Sequence, residues 1–368
     1  MTAFQEEQEA IPVRRIRPRY FGRMSTSMTM VLALLLAGCA ATPGSSSPPD
    51  GTESDAAGTP AVEEETEFTV AFTGFGLSGL AMLAAIDELR EQGYTIDVVD
   101  IVEPELEVEG LAQGRVQFGG GDPNLNLLAI DEGAPLKVIA DRNLNEWLVY
   151  ARNGIDTCEE LAASRVAVHS PGAVSGQMLA RWVNENCPDA EYEPLIIEGS
   201  ENRLAALLSN QLDASPVEFG DAVILEQEAP GDFHLVASFA EDLPDLRTSP
   251  ITGNADWMAA NPGTTEAFLR EILLQHRRIN SEDGYLFELL QQYIPEQAED
   301  EELARAVTEA YTEAGLFPNN GGLTPEAIEF TNAFFGPDGT GDVDRNFAPD
   351  EVADFSYLEA VLADIGRD

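Results

Sequence analysis

Phe68 to Gly79 reads FTVAFTGFGLSG, an apolar run followed by Gly74-x-Gly76-x-x-Gly79, and the amphipathic stretch LAMLAAIDELREQG (80–93) comes directly after it. The pattern predicts a strand, a glycine turn and a helix, because glycine lets a strand swing sharply into a helix. It also fits the dinucleotide fingerprint, with a second strand at Thr95–Ile101 and the acids Asp97 and Asp100 about 20 residues on, where a ribose would be held. Glycines there serve close approach of backbone to any ligand, so the choice depends on where the chain works.

The N-terminus bears on that. Arg14, Arg15, Arg17, Arg19 and Arg23 precede the apolar stretch Met30–Leu36, and Leu36-Ala37-Gly38-Cys39 closes it. A charged region, a short apolar region and small residues before a cleavage point make a secretory signal, here residues 1–38, too short to span a bilayer. Leu-Ala-Gly-Cys resembles the lipobox of bacterial lipoproteins, in which the cysteine, here Cys39, carries lipid. Residues 39–66, rich in Ser, Pro, Gly, Thr and acid, have almost nothing to bury and read as a disordered tether. The folded part is expected from about Glu67, on the outer face of a bacterial cell membrane and anchored by lipid only, where free dinucleotide is not expected.

The net charge is −46, and removing residues 1–38, with five arginines against three glutamates, makes it more negative still. A field of that sign repels nucleic acid and anionic lipid headgroups, so neither is an expected partner. The rest of the chain is long enough for two lobes, each with a core. Apart from Cys39 it holds only Cys158 and Cys187, and in an oxidising compartment such a leftover pair reads as a disulfide. No His or Cys stands at metal-ligand spacing to them, and GPDGTGDVD (336–344) lacks the glutamate that closes a calcium loop, so no metal is expected.

Short apolar runs at Phe68–Phe72, Ile96–Val102, Val116–Gly119 and Leu136–Ala140 alternate with helical patterns, which predicts an α/β lobe with a mostly parallel sheet. A second set follows, with strands at Arg165–His169, Tyr192–Ile197, Ala214–Phe219 and His234–Phe239, and helices AVSGQMLARWVNEN (173–186) and SENRLAALLSN (200–210) between them. From Asn261 onward the apolar residues fall at helical spacing, and those helices are expected to pack back on the first lobe. No catalytic pattern stands out: neither Ser78 nor Ser175 sits in G-x-S-x-G, and His169 has no evident catalytic companion.

LAQGRVQFGGGDP (111–123), GIDTCEELAASRVAVHSPGAVSGQMLARW (154–182), NRLAALLSNQLDASPVEF (202–219) and DFSYLEAVLADIG (354–366) together resemble the solute-binding proteins of importers for nitrate, sulfonate, taurine and thiamine-precursor pyrimidines. The likeness runs from about Phe68 to Gly366. It implies a two-lobed periplasmic-binding-protein type II fold, with 67–153 and 249–368 as lobe I, 154–248 as lobe II and a hinge between them. It implies a monomer without cofactor that hands one small solute to an ABC permease and its ATPase. Fungal proteins of similar sequence are enzymes that make a thiamine pyrimidine with an active-site His and a Cys-rich loop. This chain lacks that loop, and an exported enzyme acting on a pyrimidine is the alternative.

In such folds the ligand sits beyond the carboxyl ends of the strands, at helix N-termini. That places Thr73, Phe75 and Gly76 on one rim, Gly121, Asp122 and Asn124 beside them, and His169, Ser170, Ser200 and Glu218 opposite. Arg142, Arg203, His169 and Ser170 suit an anion. Asp122, Glu198, Glu218 and Phe75 suit a neutral or cationic heteroaromatic.

Overall fold

The computed structural model describes residues 14–15, 64–101 and 103–368. The rest of the signal segment, the tether as far as residue 63 and Cys39 lie outside the described residues. Glu64 and Glu65 are already docked: Glu64 Oε2 accepts from Thr264 N at 2.8 Å, and Glu65 N donates to Asn261 Oδ1 at 2.7 Å.

Two sheets organise the chain. In the first, Glu67–Phe72 lies parallel between Thr95–Asp100 and Phe118–Gly119, and Arg14–Arg15 adds a short antiparallel edge on Thr95–Asp100. Pro250–Asn254, buried at every position, runs antiparallel between Phe118–Gly119 and Leu136–Asp141. The sheet is therefore mixed where a mostly parallel one was expected, because a chain returning from the other lobe enters from the opposite end.

The second sheet is centred on Leu148–Arg152, flanked antiparallel by Ala214–Val217 and Phe233–Ser238. Ala167–Val168 and Leu195–Ile196 form a parallel pair, tied to Ala214 by a parallel bridge from Val166. Leu148–Arg152 thus belongs to the second sheet, and the first crossing between lobes runs over Arg142–Trp147, ahead of the boundary read at 153. Buried runs look alike in either sheet, and only the pairing separates them.

The return crossing runs through Phe239–Ser249 and is fastened to the first. Arg247 Nη1 meets Asp141 Oδ2 at 3.1 Å, both side chains buried, and Arg247 also donates to the carbonyls of Pro244, Asp245 and Gly322. Burial pushes the Asp141 carboxyl up to about 6, although Arg247 pulls the other way.

Phe68, Phe118, Trp257 and Phe268 join the first sheet to the C-terminal helices, with Phe118 stacked on Phe268 at 4.5 Å between centroids. Helix Pro262–Ser281 packs along Leu80–Glu91, and Phe355–Ile365 packs on Pro262–Ser281. Glu301–Glu313 departs from the expectation that all these helices lie on the first lobe, because it packs on Phe219–Glu228 of the second. Tyr311 meets Phe219 edge-on at 5.5 Å. At Gly220 a Cβ would lie 2.9 Å from Leu77 Cδ1, 3.3 Å from Tyr311 Cε2 and 3.4 Å from Val307 Cγ1, so two other elements converge on a bare backbone.

Cys158 and Cys187 are joined by a disulfide, with Cα atoms 5.8 Å apart. An open depression lined by Glu159, Asn186, Cys187 and Pro188 lies beside it. Among the described residues no helix is long and apolar enough to cross a membrane.

Candidate functional site

The lobes meet where strands of the first sheet end and helices of the second begin. Asp122 Oδ2 accepts from Val174 N at 2.7 Å, and Asn124 Nδ2 donates to Gly172 O at 2.8 Å. Val174 is the first residue of helix Val174–Asn186, so Asp122 takes an N–H that the helix leaves free, at the positive end of its dipole. Ser170 shapes that start: its Oγ accepts from Ala173 N at 3.0 Å, and a Cβ on Gly176 would come within 2.4 Å of its carbonyl. The disulfide sits at the other end of the same helix.

On the first lobe, Glu107 holds the two rims together. It is buried, accepts from Thr73 Oγ1 and accepts from Gly120 N at 2.8 Å. Gly119 leaves room for this carboxylate, since a Cβ there would lie 2.5 Å from Glu107 Oε1. Gly121 has φ +62°, and a Cβ there would press on Asn126 and Val108. Phe75 is half-buried and packs on Phe72 at 5.2 Å between ring centroids. Next to it, Gly76 reaches the second lobe, where a Cβ would lie 3.4 Å from Glu218 Oε2.

On the second lobe, Ser200 Oγ accepts from Glu218 N at 2.9 Å, at the start of Phe219–Glu228. His169 Nδ1 accepts from Gly199 N at 3.1 Å, which assigns the proton of the neutral ring to Nε2. Burial and then the Arg203 charge lower the pKa of His169, favouring that neutral ring. Arg203 is fully buried and turned onto backbone, donating to the carbonyls of Pro216, Ile197 and Gly199 at 3.0 to 3.1 Å with its guanidinium over Trp147. Glu198 stays exposed on the surface.

The first crossing supplies the rest. The Arg142 charge acts on Asp122, Glu146 and Glu218 at once, yet its Nε has no hydrogen-bond partner among the described residues. Glu146 is buried; its Oε1 accepts from Asn143 Nδ2 at 2.7 Å, and its Oε2 is buried without a partner. Desolvation is the first cause of the raised pKa of each carboxylate here, carrying Asp122 and Glu218 to about 7 and Asp221 to about 6, with Glu146 also well up. Asp122, Glu218 and Asp221 keep some solvent contact at the seam, so these carboxylates are crowded by protein without being sealed.

The structure therefore brings together Gly76, Asp122, Asn124, Arg142 and Glu218, with Thr73, Phe75, Gly121, His169, Ser170 and Ser200 shaping the rims around them. Sequence reading missed Glu107, Glu146 and Asp221. The polar run DRNLNEW (141–147) between two apolar strands was the available signal for Glu146.

A family model described as NMT1/THI5-like matches residues 89–273, which include both crossings and most of this seam. No curated protein sequence matches the chain. Among solved structures, the alkanesulfonate-binding protein SsuA from Xanthomonas axonopodis pv. citri, bound to MOPS, superposes with a TM-score of 0.61 at 16% identity, over 79% of this chain and 99% of its own. The periplasmic nitrate-binding protein NrtA from Synechocystis gives 0.61 at 13% identity, over 82% and 90%. The ligand-binding component of an ABC-type import system from Staphylococcus aureus, with zinc bound, gives 0.61 at 11% identity, over 80% and 98%. At these identities the likeness establishes the shared two-lobed fold. With the family model covering half of its length, the chain belongs to the NMT1/THI5-like family.

Proposed function

We propose that this chain is the solute-binding component of an ABC importer, lipid-anchored through Cys39 on the extracytoplasmic face. As a monomer, it holds one small solute between its lobes and passes it to a permease and ATPase. The carrying observation is the seam: Asp122 and Asn124 of one lobe bond Val174 and Gly172 of the other, around charged groups with hydrogen-bonding capacity left unused. A solute entering there would be gripped by both lobes and would favour the closed arrangement. Domains 67–153 with 249–368, and 154–248, are the corresponding lobes, adjusted at Leu148–Arg152 as described above. The fold neighbours, an alkanesulfonate-binding protein, a nitrate-binding protein and the ligand-binding component of an ABC-type import system, support the same role. The exported-enzyme alternative gains nothing from the site, since Nδ1 of His169 is engaged by backbone and Cys158 and Cys187 are bonded to each other.

A thermal-shift panel of sulfonates, nitrate, carboxylates, amines, pyrimidines and other heteroaromatics tests this. A solute at a hundredfold excess over Kd adds about 2.7 kcal/mol to native stability, and the hit should be recovered chemically unchanged. Catalytic conversion of the hit, or a panel that leaves the melting curve in place, would sink the proposal.

A further inference from the structure

Helix Val174–Asn186 packs on Cys158–Ala162 and Ala214–Val217 of the second lobe, yet the first lobe grips it at two places. At its start Val174 N donates to Asp122 Oδ2 at 2.7 Å. About two turns, or roughly 10 Å, further along the helix, Arg181 reaches helix Pro325–Phe335, which packs on Pro123–Asp131 of the first lobe. Its Nη1 donates to Phe334 O at 3.2 Å, and its guanidinium lies over the Phe334 ring, 4.4 Å from the centroid.

The two contacts are reciprocal. Val174 opens its helix, so its N–H has no acceptor within that helix and is satisfied from the other lobe. Phe334 stands in the last turn of its own helix, where carbonyls lack intrahelical donors and the dipole end is negative, and Arg181 brings a positive charge to one of them. The surface under Arg181 is firm: Phe334 is 4% exposed and meets Phe335 edge-on at 4.9 Å, and Thr340 N donates to the same carbonyl at 2.8 Å. Arg181 itself keeps 29% of its side chain exposed, and its Nε is steered by Glu185 Oε1 at 2.8 Å. The guanidinium therefore reaches across the lobes without full desolvation, and a cation over an aromatic face adds to the bond with the carbonyl.

We propose that Arg181 is a latch between the lobes, holding them closed before any solute enters. The latch goes beyond the solute-binding role and does not depend on it. In a chain that does carry a solute, a larger closed fraction raises apparent affinity with no contact between Arg181 and the solute.

The test is amide hydrogen exchange of the folded, solute-free chain, resolved by NMR at single residues and repeated on Arg181→Met and Glu185→Gln. Methionine keeps an unbranched apolar stem and removes the charge, and unfolding curves establish that each variant is folded. Val174 N–H is the reporter, since the bond to Asp122 alone protects it, and Asp122→Ala sets its unprotected rate. Leu179 and Val183 amides, bonded within the helix, report on the helix itself. Arg181→Met should speed exchange at Val174 about tenfold or more while Leu179 and Val183 stay within about twofold, and Glu185→Gln should leave Val174 protected. Unchanged exchange at Val174 in Arg181→Met overturns the latch. Acceleration shared by Leu179 and Val183, or reproduced by Glu185→Gln, assigns Arg181 to its own helix and overturns it too. Exchange at Val174 in the unaltered chain as fast as in Asp122→Ala shows the free chain to be open, with the same consequence. Each of these results leaves the solute-binding role standing, because that role is tested by the thermal-shift panel.

Discussion

Replacing Asp122 by asparagine should stabilise the protein in alkaline solution and do much less in acid. The surrounding protein raises this carboxyl from its ordinary 3.8 to about 7, first by desolvation and then through Glu107 and Glu105, against the pull of Val174 N–H and Arg142. Below pH 3.8 both folded and unfolded chains hold the proton, and the group has no effect on stability. Between 3.8 and 7 the native state binds a proton that the unfolded chain has released, so stability falls as pH rises; above 7 the whole penalty is present. Three units at 1.36 kcal/mol each put that penalty on the order of 4 kcal/mol, an upper bound because Asp122 keeps some solvent contact. Asparagine keeps an acceptor for Val174 N–H and cannot ionise. The stability gained by Asp122→Asn should therefore be larger at pH 8.5 than at pH 5 by roughly 1 to 3 kcal/mol, read from urea unfolding of both proteins at the two pH values. A gain that is equal at both, or larger at pH 5, would refute the claim that burial of this charge strains the seam.

Two further substitutions test the frame around the site. Removing the disulfide with Cys158→Ser and Cys187→Ser opens a loop with a sequence separation of 29, which should cost about 3 to 4 kcal/mol in the chain-entropy model. Solute affinity should stay within twofold, because the bond lies at the far end of helix Val174–Asn186 from Asp122; an unchanged melting temperature or lost binding would contradict this placement. Arg247→Met leaves Asp141 buried without its partner and should cost roughly 3 to 5 kcal/mol at pH 8. The cost should shrink at pH 5, where Asp141, already raised to about 6, takes a proton; chemical denaturation at both pH values checks it.

Much of the fold was legible because it rests on local pattern. Leu80–Glu91, Val174–Asn186 and Ser200–Leu208 form where apolar residues recur at helical spacing, within a residue or two of the expected ends. Pro250–Asn254 was not, since SPITGNADW carries glycine, proline and asparagine, and its strand is created by two neighbours far away in sequence. Leu148–Arg152 fell on the first lobe's side of the boundary at 153, since burial on both faces erases the alternation that would mark a sheet. At the site, glycines were readable because close backbone approach needs them. Glu146 was not, because a lone glutamate at the end of a polar run holding two asparagines looks like surface.

The convergence at Gly220 sets how closely the two halves can pack. Leu77 belongs to the first lobe, Gly220 opens a helix of the second, and Val307 and Tyr311 come from the C-terminal helix that leans on it. With no side chain at that point, the backbone of one body rests on smooth hydrocarbon from the others, like a bearing surface. Beside it, Phe219 meets Tyr311 edge-on, so the same helix start carries an aromatic contact and a bare backbone side by side. An alanine at 220 would set its Cβ 2.9 Å from Leu77 Cδ1, so the packing between the lobes would have to shift before any ligand was touched.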